Sequence, residues 1–430
     1  MAAYSNVSNQ IAALKELYTG DDYMKDLVYK KNPLLALIPK DESPSGFAGK
    51  YIPVPLVYAP PVGRSANFAN AQNNQTAPGV NSFFVYRVSN YQLVTITNEL
   101  LEATKDNAGA FVDEAKLNMD TGFRSISNDL ALDLYGDGSG SRGSISSIST
   151  GVIALTQSAQ IVNFEVGMTL NSYSQSGSTA TVSTGAALGY VVAVNRSSGQ
   201  LTVSATAGGV AGTPSNWSTS FPLLAVQGDV NFASGGLAIG NGLAQKIAGL
   251  QAWIPTTAPA SNDSFWGVNR SVDATRLGGV RFNGQSETIE EALIDASALV
   301  AREGGQPDMC FMSFASYSAL EKSLGAKVQY VDVKHEEADI AFAGIRIHAP
   351  YGPITVIPDR NCPSQTAYLL QMDTLKLRSL GKAPHILTYG LEGLEGLRVG
   401  NADALEIRIG YYANLICNAP GWNCVVQLSA

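Results

Sequence analysis

The chain has 430 residues, 45% hydrophobic and only 15% charged, with a formal net charge of −8 and an isoelectric point near 5.0. So acidic a balance argues against a protein that grips nucleic acid by neutralising phosphates, which calls for a basic surface. No apolar run reaches the roughly 18 residues that span a bilayer, and the N-terminus lacks the basic start and apolar core of a signal peptide, so no membrane partner is expected.

A chain of this length buries a large core in two or three domains. Its low charge leaves much neutral polar surface, which suits extensive protein contact. Cys310, Cys362, Cys417 and Cys424 form no CxxC pair and read as reduced, buried thiols.

In chain order, residues 1–45 read as an arm with no core of its own, carrying a short amphipathic helix over Gln10 to Tyr18. Its apolar patch, with Leu34, Leu35, Leu37 and Ile38, must dock on the body or on another subunit. Residues 46–97 read as two strands, Gly49 to Tyr58 and Ser82 to Thr97, joined by an Asn-, Ala- and Pro-rich excursion. Pro53 and Pro55 cannot donate to a central ladder, so the first strand belongs at an edge. An excursion of over about twenty residues without structure is unusual in a compact domain, so it is either disordered or ordered by a partner. Arg64 and Arg87 are the only charges between Lys50 and Glu99.

The stretch from Asn98 to Tyr135 is the strongest signal. Ala108, Val112, Ala115, Met119, Phe123, Ile126, Leu130 and Leu134 recur every third or fourth residue, which lines one face of a helix. The periodicity predicts a rod roughly 55 Å long that lies across a broad surface. Gly109 and Gly122 sit inside it, as close-packing residues or as points where the rod bends, and each costs about 1 kcal/mol against Ala. Gly136, Gly138 and Gly140 stop it. Gly138, Gly140 and Gly143 formally match GxGxxG, but they follow a helix rather than a strand, so a linker is the better reading.

Residues 151–230 contain only Glu165, Arg196 and Asp229 as charges. Short alternating runs separated by turns predict a small all-β module, a barrel or compact sandwich. A helical region over Gly235 to Trp253 follows, then a helix opened by a capping box of Thr288 and Glu291 and ended by Gly304. Strands at Met309–Met312, Val328–Val333, Ile345–Ala349, Ile354–Ile357 and Ala367–Gln371, with a helix at Ser316–Leu324, make an α/β body. The closing run alternates Leu405, Ile407, Ile409 and Tyr411 against Glu406, Arg408 and Gly410. With the return from Cys424 to Leu428, it is expected to complete a sheet under the long helix.

Catalytic signals are weak. His335, His348 and His385 are the only histidines, and none is spaced as a metal pair. His348 reads as a structural histidine, and the acidic run from His335 to Asp339 as a solvated loop. There is no nucleophile elbow and no phosphate-binding loop. No catalytic residue, metal or cofactor is expected.

The order of parts, together with the strings GLQAWIP at 249–255, SFWGVNRS at 264–271, SLGAKVQYVD at 323–332, DRNCP at 359–363 and IGYY at 409–412, resembles the major capsid proteins of tailed phages, the Hong Kong 97-type fold. The resemblance implies an α+β chain divided into an N-arm (1–45), an E-loop (46–97), the spine helix of a P-domain (98–150), an inserted β domain (151–230), an A-domain body (231–385) and closing strands (386–430). It implies a homo-oligomer of hexamers and pentamers in the virion, around double-stranded DNA held non-specifically, with a portal protein, a separate scaffolding protein and a cement protein as partners. No large cleaved propeptide is expected. The E-loop candidates for contact between subunits are Arg64, Phe68, Asn73 and Arg87. Gly109 and Gly122 are the hinge candidates. With no Lys between Lys50 and Lys105, a shell without covalent cross-links is expected. The alternatives are a shell subunit of an encapsulin-like nanocompartment, another virion part, or a cytosolic enzyme without a recognisable motif.

Overall fold

The computed structural model describes residues 32–43, 49, 51–97, 108–176, 179–182, 187–230, 245–261, 263–324, 330–335, 338–387, 396–398 and 403–429. The expected helix at 10–18 and the front of the long helix at 98–107 lie outside the described residues. So does most of the helical region expected at 235–253, where Leu250–Trp253 forms a short helix.

The body is built on the strand Ala404–Cys417. Along one side it pairs antiparallel with Val88–Thr97, in register from Ala404↔Thr97 to Ala413↔Val88. Along the other it pairs with Leu375–Ser379 and two short strands, and Lys40–Asp41 adds in parallel to Leu375–Ser379. Alternation puts Val94, Ile96, Ile407, Ile409 and Tyr411 on one face of this six-stranded sheet, all buried. The helix Ala108–Asp133 covers that face with Met119, Phe123, Ile126 and Leu130. Its 26 residues make a rod about 39 Å long at about 1.5 Å per residue.

Where the rod stops, its last carbonyls meet the next helix. Leu250 N–H donates to Leu134 O at 2.7 Å and Gln251 N–H to Tyr135 O at 3.4 Å. That supplies partners a helix C-terminus lacks. Gly249 permits the approach, since a Cβ there would lie 2.3 Å from Leu134 O.

A second sheet lies between the rod and the rest. Of its seven strands, six close into a ring: Gly143–Ser149, Val152–Leu155, Gln200–Ser204, Gly189–Asn195, Thr169–Ser176 and Leu223–Val226. Closure comes from Leu223–Val226, which pairs with both Gly143–Ser149 and Thr169–Ser176. The module is therefore a barrel, and full closure leaves the ring without open edges. Ile153, Phe164, Leu170, Leu201, Val203 and Leu224 fill it, a core separate from that of the body.

A third sheet runs Val280–Gly284, Cys424–Leu428, Thr366–Leu370, Met309–Met312, Gly352–Pro358, Ala338–Ala349, Tyr330–His335. Helices Ile289–Arg302 and Phe314–Leu324 cover one face, against Cys310, Met312, Leu369 and Val426. The other face, with Phe311, Tyr368, Leu370 and Val425, joins the core beneath the rod. Both halves of the capping box at Thr288 and Glu291 are present. All four cysteines are buried. His348 is exposed rather than structural. The acidic run after His335 lies at the turn between two strands, with residues 336–337 outside the described set.

One expectation is corrected here. Cys424–Leu428 does not lie under the long helix. It inserts into the third sheet, parallel to Val280–Gly284 and antiparallel to Thr366–Leu370. The turn Pro420–Trp422 carries the chain from one sheet to the other.

Candidate assembly interface

The front of the chain leaves the body as a hairpin. Tyr51–Ala59 pairs antiparallel with Gly79–Tyr86 and with no other strand. That is the edge position its prolines require, with Pro53 opposite Phe84 and Pro55 opposite Ser82. The expected second strand of 82–97 is two strands, which part at Arg87. One stays with the hairpin and the other enters the body sheet.

The hairpin's root is packed and its outer part is not. Ile52, Val54, Phe83 and Val85 are buried in the body core. The Phe83 ring meets Trp253 edge-on at 5.2 Å between centroids. Phe84 N–H donates to Trp266 O at 3.0 Å, and Arg276 Nη1 donates to Tyr58 O at 2.7 Å. From Pro55 to Ser82, by contrast, no residue is buried.

The excursion at the tip has order of its own. Phe68–Asn73 is a helix, with Asn67 Oδ1 accepting from Ala69 N–H at 3.0 Å as its N-cap. Across the base of the tip, Thr76 N–H donates to Val62 O at 2.8 Å and Val62 N–H donates to Thr76 Oγ1 at 3.0 Å. The expected structureless loop is thus corrected: Asn67 ahead of the alanine-containing FANAQN was the missed signal. Arg64, Phe68, Asn73 and Arg87 are all exposed, Phe68 by 82%. The first three share the tip, and Arg87 stands apart at the root.

The arm residues behave differently. Leu34, Leu35, Leu37 and Ile38 are all buried in the core of their own body. Asp359 holds them there. Its Oδ2 accepts from Leu34 N–H at 3.2 Å and from Tyr135 Oη at 2.9 Å, while its Oδ1 accepts from Asn361 N–H at 2.9 Å. Burial pushes the Asp359 carboxyl above its usual range, against the pull of these donors. Asp41 adds an ion pair with Arg378 at 3.0 Å.

Gly109 is the second residue of the helix Ala108–Asp133. Gly122 is buried against the sheet, where a Cβ would lie 2.8 Å from Val94 Cγ2 and 3.1 Å from Ile409 Cδ1. No group of His, Cys, Asp and Glu among the described residues could hold a metal ion.

An arm, a projecting hairpin, a rod on a sheet and an α/β body have a known counterpart. Residues 197–388 match the family model of the SU10 major capsid protein. The capsid subunit of cyanophage A-1(L) has a similar fold, with a TM-score of 0.51 and 13% identity over 92% of each chain. The fold is that of the Hong Kong 97-type capsid subunits. A solved chain of Mycobacterium phage Ogopogo is also similar, with a TM-score of 0.41 and 8% identity over 93% of this chain and 92% of that one. The encapsulin complex of Synechococcus elongatus gives 0.38 and 7% over 92% and 86%. No curated protein matches the sequence.

Proposed function

We propose that this chain is a major capsid protein of a tailed phage, that it assembles into hexamers and pentamers of an icosahedral head around double-stranded DNA, and that the hairpin tip is the surface that reaches a neighbouring subunit. One observation carries the reading. The stretch from Pro55 to Ser82 is folded, yet none of its residues is fully buried, and only Leu56 and Tyr58 at its start pack against the core. It exposes Val57, Val62, Phe68 and Val80. Apolar surface gathered on a projection is a mark of an interaction site. Arg64, Phe68 and Asn73 at the tip are the contact residues in this reading. The arm residues Leu34, Leu35, Leu37 and Ile38, by their burial, serve their own subunit. The division into arm, E-loop, spine and P-domain, inserted domain, A-domain and closing strands follows the same reading. A net charge of −8 suits a container that holds its genome without binding it tightly.

Electron microscopy of the purified protein tests this, with Phe68→Ser as the variant. The wild type is expected to form closed shells of hexamers and pentamers that package DNA. Phe68→Ser should leave the subunit's melting temperature within about 2 °C, since exposed substitutions usually stay within about 0.5 kcal/mol, and should cut the yield of shells. Shells filled with protein cargo instead of DNA, or shells formed normally by the variant, would refute the reading.

A further inference from the structure

Both connections between the barrel and the body pass one buried group of charges. Asp129 and Asp133 belong to the last turns of the spine helix, and Arg142 to the segment entering the barrel. Asp229 lies on the turn leaving it, and Lys246 on the body segment described next. Arg142 Nη2 is 2.7 Å from Asp129 Oδ1 and 4.0 Å from Asp229 Oδ2. Lys246 Nζ is 3.3 Å from Asp229 Oδ2 and 3.6 Å from Asp133 Oδ2. From the sheet below, Tyr411 Oη donates to Asp133 Oδ2 at 3.4 Å. The side chains of Lys246 and Asp133 are only 5% and 10% exposed.

The remaining bonds at this joint are hydrogen bonds, and one further carboxylate takes part, Asp137, whose Oδ1 accepts from Ser139 N–H at 2.9 Å. Asn163 Nδ2 donates to Arg142 O at 2.9 Å and Arg142 Nη1 to Asn163 O at 3.3 Å. Arg360 Nη2 donates to Val162 O at 3.2 Å, and Tyr173 Oη to Ser139 Oγ at 3.2 Å. The buried ion pairs tie both ends of the barrel to the helix and the body segment. Their charges do not balance: three carboxylates (Asp129, Asp133, Asp229) face two cations (Arg142, Lys246). The excess is negative, and it sits at the negative end of a helix dipole. A buried excess charge costs free energy that pairing does not recover.

We propose that this cluster is a proton-operated clasp: at mildly acidic pH Asp133 takes up a proton, the cluster becomes neutral, and the barrel is held more tightly to the spine helix. Burial pushes the Asp133 carboxyl up to about 6 from 3.8, although Lys246 pulls it down. Burial raises Asp229 as well. A carboxyl that binds its proton more tightly in the folded state adds stability as pH falls through its folded value toward its unfolded one. That is the reverse of an ordinary salt-bridged aspartate. Protonation strands no cation, because Lys246 keeps Asp229 and Arg142 keeps Asp129.

Hydrogen exchange of the full-length protein between pH 5 and pH 7.5 tests the clasp, read on peptides spanning 139–146 and 223–230 and corrected for intrinsic rates. Opening at the joint is expected to be about tenfold rarer at pH 5 than at pH 7.5, the effect of a carboxyl near 6. Amides inside the barrel, at Leu201 and Val203, should not change. Asp133→Asn, neutral at every pH, should show the acid-like protection at pH 7.5 and no dependence on pH. Opening in the wild type that is constant or rises on acidification would overturn the proposal, as would a variant that keeps the wild-type profile. If the variant does not fold, the wild-type profile decides alone.

Discussion

Asp359 shows how much one side chain can organise when its partners are distant in sequence. The helix Pro33–Leu37 has Asn32 at its N-cap position, but Asn32 makes no cap bond. The second turn-opening amide, Leu34 N–H, is taken instead by a carboxylate 325 positions further on. The same carboxylate accepts from Tyr135, just past the end of the spine helix. Asp359→Ala would leave three buried or half-buried donors, those of Leu34, Tyr135 and Asn361, without their acceptor. At about 1–3 kcal/mol for each orphaned group, a loss of at least about 3 kcal/mol in urea unfolding is expected, with faster protease cleavage near residues 39–43. Asp359→Asn keeps one acceptor oxygen and should lose roughly half as much. None of this was legible in the sequence. The apolar run of Leu34 to Ile38 announced that the arm docks, but a cap supplied across 325 positions leaves no local pattern.

Elements whose identity rests on periodicity were legible, and those whose place rests on contact were not. Met119, Phe123, Ile126, Leu130 and Leu134 mark the spine helix by spacing, and all five are buried. The capping box at Thr288 is equally local. The break at Arg87 was hidden because apolar residues continue past it, although the buried positions change parity there, from Phe83 and Val85 to Val88, Val94 and Ile96. The exchange of sheets before Cys424 was hidden for the same reason, since both sheets accept the same apolar residues. Gly122 was visible as a defect in the helix, and the structure supplies a reason for it in the contact with Val94 and Ile409. Two effects oppose each other at Gly122→Ala. The helix gains about 1 kcal/mol from lower backbone entropy, while overpacking of this kind costs about 1–3 kcal/mol. Val94 is β-branched and stiff, so overpacking is expected to win and lower stability by about 1 kcal/mol. With Val94→Ala in the background, the 2.8 Å contact disappears, only the flexible end of Ile409 at 3.1 Å has to give, and Gly122→Ala should become stabilising. A double-mutant cycle by thermal unfolding reads the reversal. A glycine that instead serves as a bend would lower stability or impair assembly in both backgrounds.

At the scale of the whole molecule, the barrel is packed as a unit apart. Its core residues form a cluster of their own, separate from the two clusters of the body. Its two ends are neighbours in space: Gly143 pairs with Leu224, and Arg142 N–H donates to Leu224 O at 2.8 Å. The composition shift over residues 151–230 made the module legible and the alternating runs made it β, but its first strand, Gly143–Ser149, falls ahead of that stretch. Closure was not legible, because it depends on Leu223–Val226 meeting two strands at once. The geometry permits excision. Residues 144–224 can be replaced by a short glycine-containing turn, which leaves Arg142, Asp229 and Lys246 in place to meet Asp129 and Asp133. The shortened chain should fold, because no residue of the body core is removed. If the barrel plays no part in the contacts that close the lattice, it should also form shells of normal diameter, seen by electron microscopy as particles with thinner walls. Failure to fold would mean that the barrel completes the body despite its separate core. Folded subunits that no longer assemble would place the barrel within the lattice contacts rather than outside them.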